Sequence, residues 1–375
     1  VPRNAHRSVA GALLLANLEP VFAMPEYDAV FGINTQITPQ AVEAMFARHA
    51  DIKAVLVTSP NYYGQAADLK AIAQIAHAHN AALLVDEAHG PHLGFSGKLP
   101  PSALQCGADA CAQSTHKILG AMTQCSLLHV KGRRINLTRA AEAVSLLTTT
   151  SPNYLLMASI DAARYTLAVQ GEKLIERALA AAEKLRSCLS KFAGLKLLDA
   201  DCTGKNGIAG FDCTKVTVNT AAWGYSGTEA GDALRKAGIA VELTDAQNVL
   251  FLVTFADGGA EYDAVLEKIS TVFAGLEQHK RAPLKEQNCW KLPEFVTAVP
   301  LRSAFDAETE SLPLQEAEGR ICAEQVSFYP PGIPVLWPGE LVTAEVIDYC
   351  LRMKKLGLPV SGPADYTLTE LRVIK

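Results

Sequence analysis

A chain of 375 residues exceeds what one hydrophobic core commonly serves, and with 49% hydrophobic and 19% charged residues it is expected to fold throughout, in two or three lobes. A net charge of −5, with no long run of like charges, gives no basic face for nucleic acid and no tail for a polyanion. Nine scattered cysteines without a CxxC pair fit a reduced, cytoplasmic protein and argue against a zinc or disulfide framework.

The chain opens on Val1-Pro2-Arg3-Asn4, without an initiator methionine, as if within a longer polypeptide. Val9 to Leu15 is apolar but too short to span a membrane and lacks a signal-peptide layout, so a soluble protein is expected. To about residue 130, short apolar strands alternate with helical stretches, the pattern of βαβ units and a largely parallel sheet. Lys53 to Thr58 reads as a buried strand ending in the turn SPNYYG, Ala67 to His79 as a helix, and Ala81 to Val85 as a strand ending at Asp86. Ala110 to Ser114 and Ser126 to Val130 follow as strands. Ala158 to Ala193 holds apolar residues at three- and four-residue spacing without proline and reads as one long helix. Strands over Lys215 to Asn219, Ile239 to Leu243 and Val249 to Phe255, with helices over Thr228 to Lys236 and Glu261 to Leu276, suggest an α+β lobe. Residues 280 to 320 are polar and weakly periodic, a linker or boundary before a smaller C-terminal lobe.

In open α/β sheets ligands gather beyond the carboxyl ends of the strands, and both Asp86 and Lys117 stand just past such an end. A lysine amine in a low-dielectric loop shifts toward its neutral, nucleophilic form and suits Schiff-base formation with an aldehyde cofactor. That chemistry needs an acid against a pyridine nitrogen, phosphate donors and a ring cover. Asp86 by itself reads equally as a helix cap or a paired surface aspartate, and Ser114, Thr115 and His116 equally as a polar turn or a phosphate cup. His6 is a candidate to stack on a planar ring or an ordinary surface histidine, and His89 and His92 receive no role. Metal chemistry is disfavoured because Glu87, His89 and His92 lack the HExxH spacing; no GxSxG, GxGxxG or GxxxxGK[ST] signature is present.

The ordered series RNAHRS (3 to 8), TSPNYYG (58 to 64), VDEAHGPH (85 to 92), QSTHKILGAMTQ (113 to 124), TTSPNYLLMASIDAAR (149 to 164) and YPPGIPVLWPGE (329 to 340) resembles the bacterial ornithine/lysine/arginine decarboxylases of fold type I. The resemblance implies an α/β fold: a pyridoxal-phosphate-dependent, aspartate-aminotransferase-like large domain over 1–150, a long helix and small α+β domain over 151–283, and a linker with a family-type α+β C-terminal domain over 284–375. It implies pyridoxal 5'-phosphate as cofactor, Lys117 as the Schiff-base lysine, Asp86 as partner of the pyridine nitrogen and His6 as the stacking histidine. Ala88 corresponds to the small residue on the other ring face, and Ser114 and His116 to phosphate ligands. Arg7 replaces a more usual lysine, and Cys125 follows Gln124 where a small residue is usual. The implied reaction is decarboxylation of arginine, lysine or ornithine to a polyamine precursor by a homodimer or higher homo-oligomer, with Glu340 or a partner's acid taking the cationic side chain. The family's Gly-Ser/Thr-rich phosphate loop lies upstream of the RNxHKS strand, so either the sequence is an incomplete record of a longer enzyme, which is the expectation, or the chain binds cofactor poorly. The alternatives are an aminotransferase or carbon–sulfur lyase of the same fold type, or an inactive paralogue acting as a binding subunit.

Overall fold

Three strands pair in parallel with their carboxyl ends level, and this alignment builds the site. In the computed structural model, which describes residues 1–284, 291–329 and 332–375, β1 (Ala54–Thr58), β2 (Ala82–Asp86) and β3 (Ala110–Gln113) lie side by side with β4 (Leu127–Val130) on the edge of β3, antiparallel. The register sets Thr58 opposite Asp86 and Asp86 opposite Ala112. The crossover from β1 to β2 runs through α1 (Leu69–Ala78), which buries Leu69, Ile72, Ala73 and Ala76 at helical spacing and is capped by Asp68, whose carboxylate accepts from Ala71 N. Asn80 then takes a left-handed φ of 56°, reversing the chain into β2.

The long helix α2 (Tyr154–Leu189) begins four residues before the expected Ala158, because the side chain of Asn153 accepts from Leu155 N and Leu156 N and caps it there. Its buried stripe runs from Ala163 through Leu167, Gly171, Ile175, Ala178, Ala182 and Leu185 to Leu189. Gly171 is needed for close approach: a Cβ there would lie 2.5 Å from Phe95 Cδ1. Beyond it, β5 (Lys196–Leu198), β6 (Lys215–Asn219), β7 (Leu243–Thr244) and β8 (Asn248–Leu252) form an antiparallel sheet in the order β7-β8-β6-β5. It is covered by α3 (Gly227–Lys236), α4 (Gly259–Gln278) and the distal half of α2, through a core including Leu185, Leu189, Val216, Val218, Leu234, Val249 and Phe273. The strand expected over Ile239 to Leu243 is shortened to Leu243–Thr244: Gly238 at φ 80° and Ile239 N, bonded to Leu234 O, are used in ending α3.

The chain divides into two units, Thr35–Lys285, which holds everything above, and Val1–Asn34 together with Glu286–Lys375. In the second unit Val1 to Ala23 forms a short ladder around the Pro2–Ala23 bridge, followed in sequence by small sheets, Val326–Phe328 with Ile333–Leu336 and Val360–Ser361, and Thr309–Pro313 with Glu370–Ile374. Helix Ala344–Lys355 buries Val346, Ile347, Tyr349, Cys350 and Met353. Its polar centre is Arg3, fully buried, which donates to Glu340 Oε2 at 2.7 Å and Val335 O at 3.0 Å and lies over the rings of Phe22, Phe295 and Trp337. Pro330 and Pro331 of the YPPGIP segment lie outside the described residues. No helix among the described residues is long and apolar enough to cross a membrane.

Candidate active site

Lys117 sits in a single helical turn, Thr115–Ile118, that starts directly after β3. Its side chain is half-buried, and Nζ lies 3.0 Å from His89 Nε2 and 5.3 Å from the centroid of the Tyr62 ring. Tyr62 in turn tilts against His89, with ring centroids 4.1 Å apart. Burial pushes the Lys117 ammonium below its ordinary value, and the charges of Asp86 and Glu242 only partly oppose this. Three successive strand ends therefore supply the surroundings of one amine: the turn after β1 brings Tyr62, the end of β2 brings Asp86 and His89, and the end of β3 brings Lys117.

The remaining predicted positions divide. Asp86 Oδ1 accepts from Ala88 N at 3.1 Å, which holds the DEAH turn in place. Ser114 precedes the Lys117 turn without capping it by its side chain, and His116 Nδ1 is 2.7 Å from Cys125 O. His6 belongs to the other unit, where it caps helix Arg7–Leu15 with Nδ1 3.3 Å from Ser8 N and 2.9 Å from Ser8 Oγ. Glu340, expected to receive a cationic substrate side chain, is corrected: it is buried, it accepts from Arg3 and from Trp337 N, and its charge is already matched.

Glu87, next to Asp86, is structural. It is buried, accepts from Ala103 N and Gln113 Nε2, both at 2.7 Å, and burial raises its carboxyl despite those donors. His92 faces Asp212 with Nε2 3.0 Å from Oδ2, both fully buried. Burial alone would raise the Asp212 carboxyl, but His92, Lys215 and Thr214 outweigh it and hold it down at about 2. The sequence reading left out His89, Tyr62, Asp212 and Lys215. Only His89 had a local signal, standing three residues after Asp86 on the same turn; the others arrive by packing between distant segments.

Lys215 opens β6 and is fully buried, and burial pushes its ammonium down to about 8. Between that value and the ordinary lysine range the unfolded chain binds a proton that the folded chain does not, so raising the pH favours the fold there. Wild type should therefore gain denaturation midpoint relative to Lys215→Met between pH 7.5 and 9.5, and parallel profiles would contradict the placement of Lys215.

The donor set fits pyridoxal phosphate. A half-buried amine of lowered basicity stands in electrostatic reach of a strand-end carboxylate, and the buried hydroxyls Thr58 Oγ1 and Thr115 Oγ1, at the ends of β1 and β3, have no hydrogen-bond partner among the described residues.

Comparisons with known proteins identify the family. The profile described as Orn/Lys/Arg decarboxylase, major domain, matches residues 1–223, and the corresponding C-terminal domain profile matches residues 291–362. The chain is 41% identical over 380 residues to an arginine decarboxylase of Bacillus anthracis and 39% identical over 377 residues to one of Bacillus subtilis strain 168; each alignment takes in 100% of this chain and 76% of the relative. The crystal structure of the Francisella novicida lysine decarboxylase LdcF superimposes with a TM-score of 0.80 at 22% identity, covering 100% of this chain and 66% of that one, and shares its fold. With a mostly parallel sheet, a lysine and an aspartate at its strand ends and both family domains matched, the chain belongs to the Orn/Lys/Arg decarboxylase family of pyridoxal-phosphate-dependent carbon–carbon lyases.

Proposed function

We propose that this chain decarboxylates a basic amino acid, arginine before lysine or ornithine, to give a polyamine precursor, with Lys117 holding the cofactor's aldehyde carbon. The observation that carries this is the Lys117 amine, half-buried, lowered in basicity by burial and 3.0 Å from His89 Nε2. Arginine is placed first because the relatives named arginine decarboxylase are 39 to 41% identical over the whole chain. When bound, pyridoxal phosphate supplies an electron sink for the pair left by departing carbon dioxide.

In this reading Asp86, fixed by Ala88 N, would keep a proton on the pyridine nitrogen, and Ala88 would leave room for the ring. His89 Nε2 orients Lys117 Nζ and is placed to hand a proton to it or take one back. Ser114 and His116 would hold the phosphate and His6 would cover the ring, roles supported by the family pattern. The protein is cytoplasmic, a reading supported by scattered cysteines without a CxxC pair, and it assembles with further copies of itself, a reading supported by helix Leu137–Leu147, which buries no residue and leaves Leu146 84% and Leu147 71% exposed.

The test is to supply pyridoxal phosphate with carboxyl-labelled arginine, lysine or ornithine and to follow trapped carbon dioxide and keto acid together. Carbon dioxide with arginine as the preferred substrate is expected. Keto acid without carbon dioxide would make the chain an aminotransferase, and neither product, with no visible absorbance from bound cofactor, would make it a non-catalytic subunit.

A further inference from the structure

Lys215 has an ammonium with three donors and no hydrogen-bond partner among the described residues, although the residue is fully buried. Such a group is costly to leave alone, and the structure shows why it cannot turn away. Its backbone is pinned, with N donating to Asp212 O at 3.1 Å and O accepting from Arg186 Nη2 at 2.5 Å. Val216 and Val218 enter the core beneath the sheet, so alternation puts Lys215 and Thr217 on the opposite face, and Thr217 Oγ1 is likewise buried without a partner among the described residues.

That face meets the turn carrying Tyr62. Gly64, at φ 87°, has its missing Cβ position 2.8 Å from Lys215 Cγ and 2.9 Å from Asp212 O, so a glycine there makes room for the lysine stem. The neighbouring carboxylate makes no hydrogen bond to the ammonium: Asp212 Oδ1 accepts from Thr214 N and Oγ1, and Oδ2 faces His92 Nε2 at 3.0 Å. The same turn reaches both lysines: Gly64 packs on the Lys215 stem, and the Tyr62 ring centroid lies 5.3 Å from Lys117 Nζ, whose charge is felt at Lys215.

We propose that Lys215 is the receptor for the α-carboxylate of the amino acid substrate, its orphaned ammonium facing the carboxylate while the α-amine is directed toward the aldehyde carbon that Lys117 would hold. The role rests on the decarboxylase reading above. A monoanion suits the site better than a phosphate dianion, since Asp212 and Glu242 already act on Lys215 and would repel the second negative charge. The contact also disappears with the reaction: once the carboxylate has left as neutral carbon dioxide, the product amine retains nothing for Lys215 to hold.

The test uses calorimetric binding to the full chain loaded with pyridoxal phosphate, with two probes that cannot be decarboxylated there. One is the 2-hydroxy acid counterpart of arginine, which keeps the carboxylate and lacks the α-amine; the other is the decarboxylated amine of arginine. Lys215→Met should weaken the hydroxy acid about 10- to 100-fold and change the amine less than about twofold. Lys215→Gln should reproduce that split. Unchanged affinity for both probes or an equal loss for both would overturn the proposal. So would a loss confined to pyridoxal phosphate and inorganic phosphate, which would assign the ammonium to the cofactor. Should wild type bind neither probe, the basic-amino-acid reading itself fails and takes this one with it, whereas binding of both probes with no split overturns the Lys215 role alone.

Discussion

Lys117→Ala is expected to abolish carbon dioxide release, by on the order of 10⁶-fold, the scale seen when a residue of a covalent catalytic unit is deleted. The fold should survive. The Lys117 side chain is half-buried with its amine disfavoured by desolvation, so truncation removes an unfavourable charge and little packing, and stability should stay within about 1 kcal/mol of wild type. Turnover and thermal midpoint measured on the same preparation decide the matter. Residual rates near wild type would remove Lys117 from the reaction, and a collapsed midpoint would make it structural. His89→Ala is the informative companion, because it deletes the 3.0 Å partner of Lys117 Nζ and leaves the amine in place.

Glu340→Ala is expected to destabilise its own unit by about 3–5 kcal/mol, the cost of leaving one member of a buried ion pair without the other. Arg3 and Glu340 are 1% and 2% exposed, so neither charge can be recovered by water. Chemical denaturation followed by Trp337 fluorescence would report it, since that indole lies beside Arg3. Arg3→Met with Glu340→Leu should cost less than either single change, because apolar replacements leave no orphaned charge. A Glu340→Ala chain with an unaltered midpoint and weakened arginine binding would restore Glu340 as the acid that recognises the substrate.

These two residues also mark what could be read in advance. Lys117 and Asp86 were legible because they are thirty-one residues apart on consecutive parallel strands, and level strand ends follow from apolar runs, turn residues and a capped crossover helix. The relation of Arg3 to Glu340 was not, since no local pattern announces a contact across 337 residues, and an acid near a Pro-Gly turn looks like an exposed one. Lys215 was hidden for a related reason: in DCTKVTVN it reads as the polar start of a strand, and only the packing of Gly64 against its stem shows that it is fully enclosed. The strand expected from Ile239 shows a third limit, because its apolar residues were claimed first by the end of the preceding helix.

The pairing of Arg3 with Glu340 also has a consequence for the order in which the chain acquires structure as it is made. Synthesis runs from the amino end, so Arg3 emerges more than three hundred residues before the carboxylate it pairs with. The segment Thr35–Lys285 has all its contacts of the described sheets available before then, whereas Val1–Asn34 must wait, with an unmatched guanidinium and the apolar rings of Phe22 and Phe31 awaiting burial. A ribosome-bound intermediate that exposes everything up to Lys285 but not yet Glu340 should thus be protease-sensitive over Val1–Asn34 and already resistant over Thr35–Lys285, and that sensitivity should vanish once Glu340 has cleared the exit tunnel.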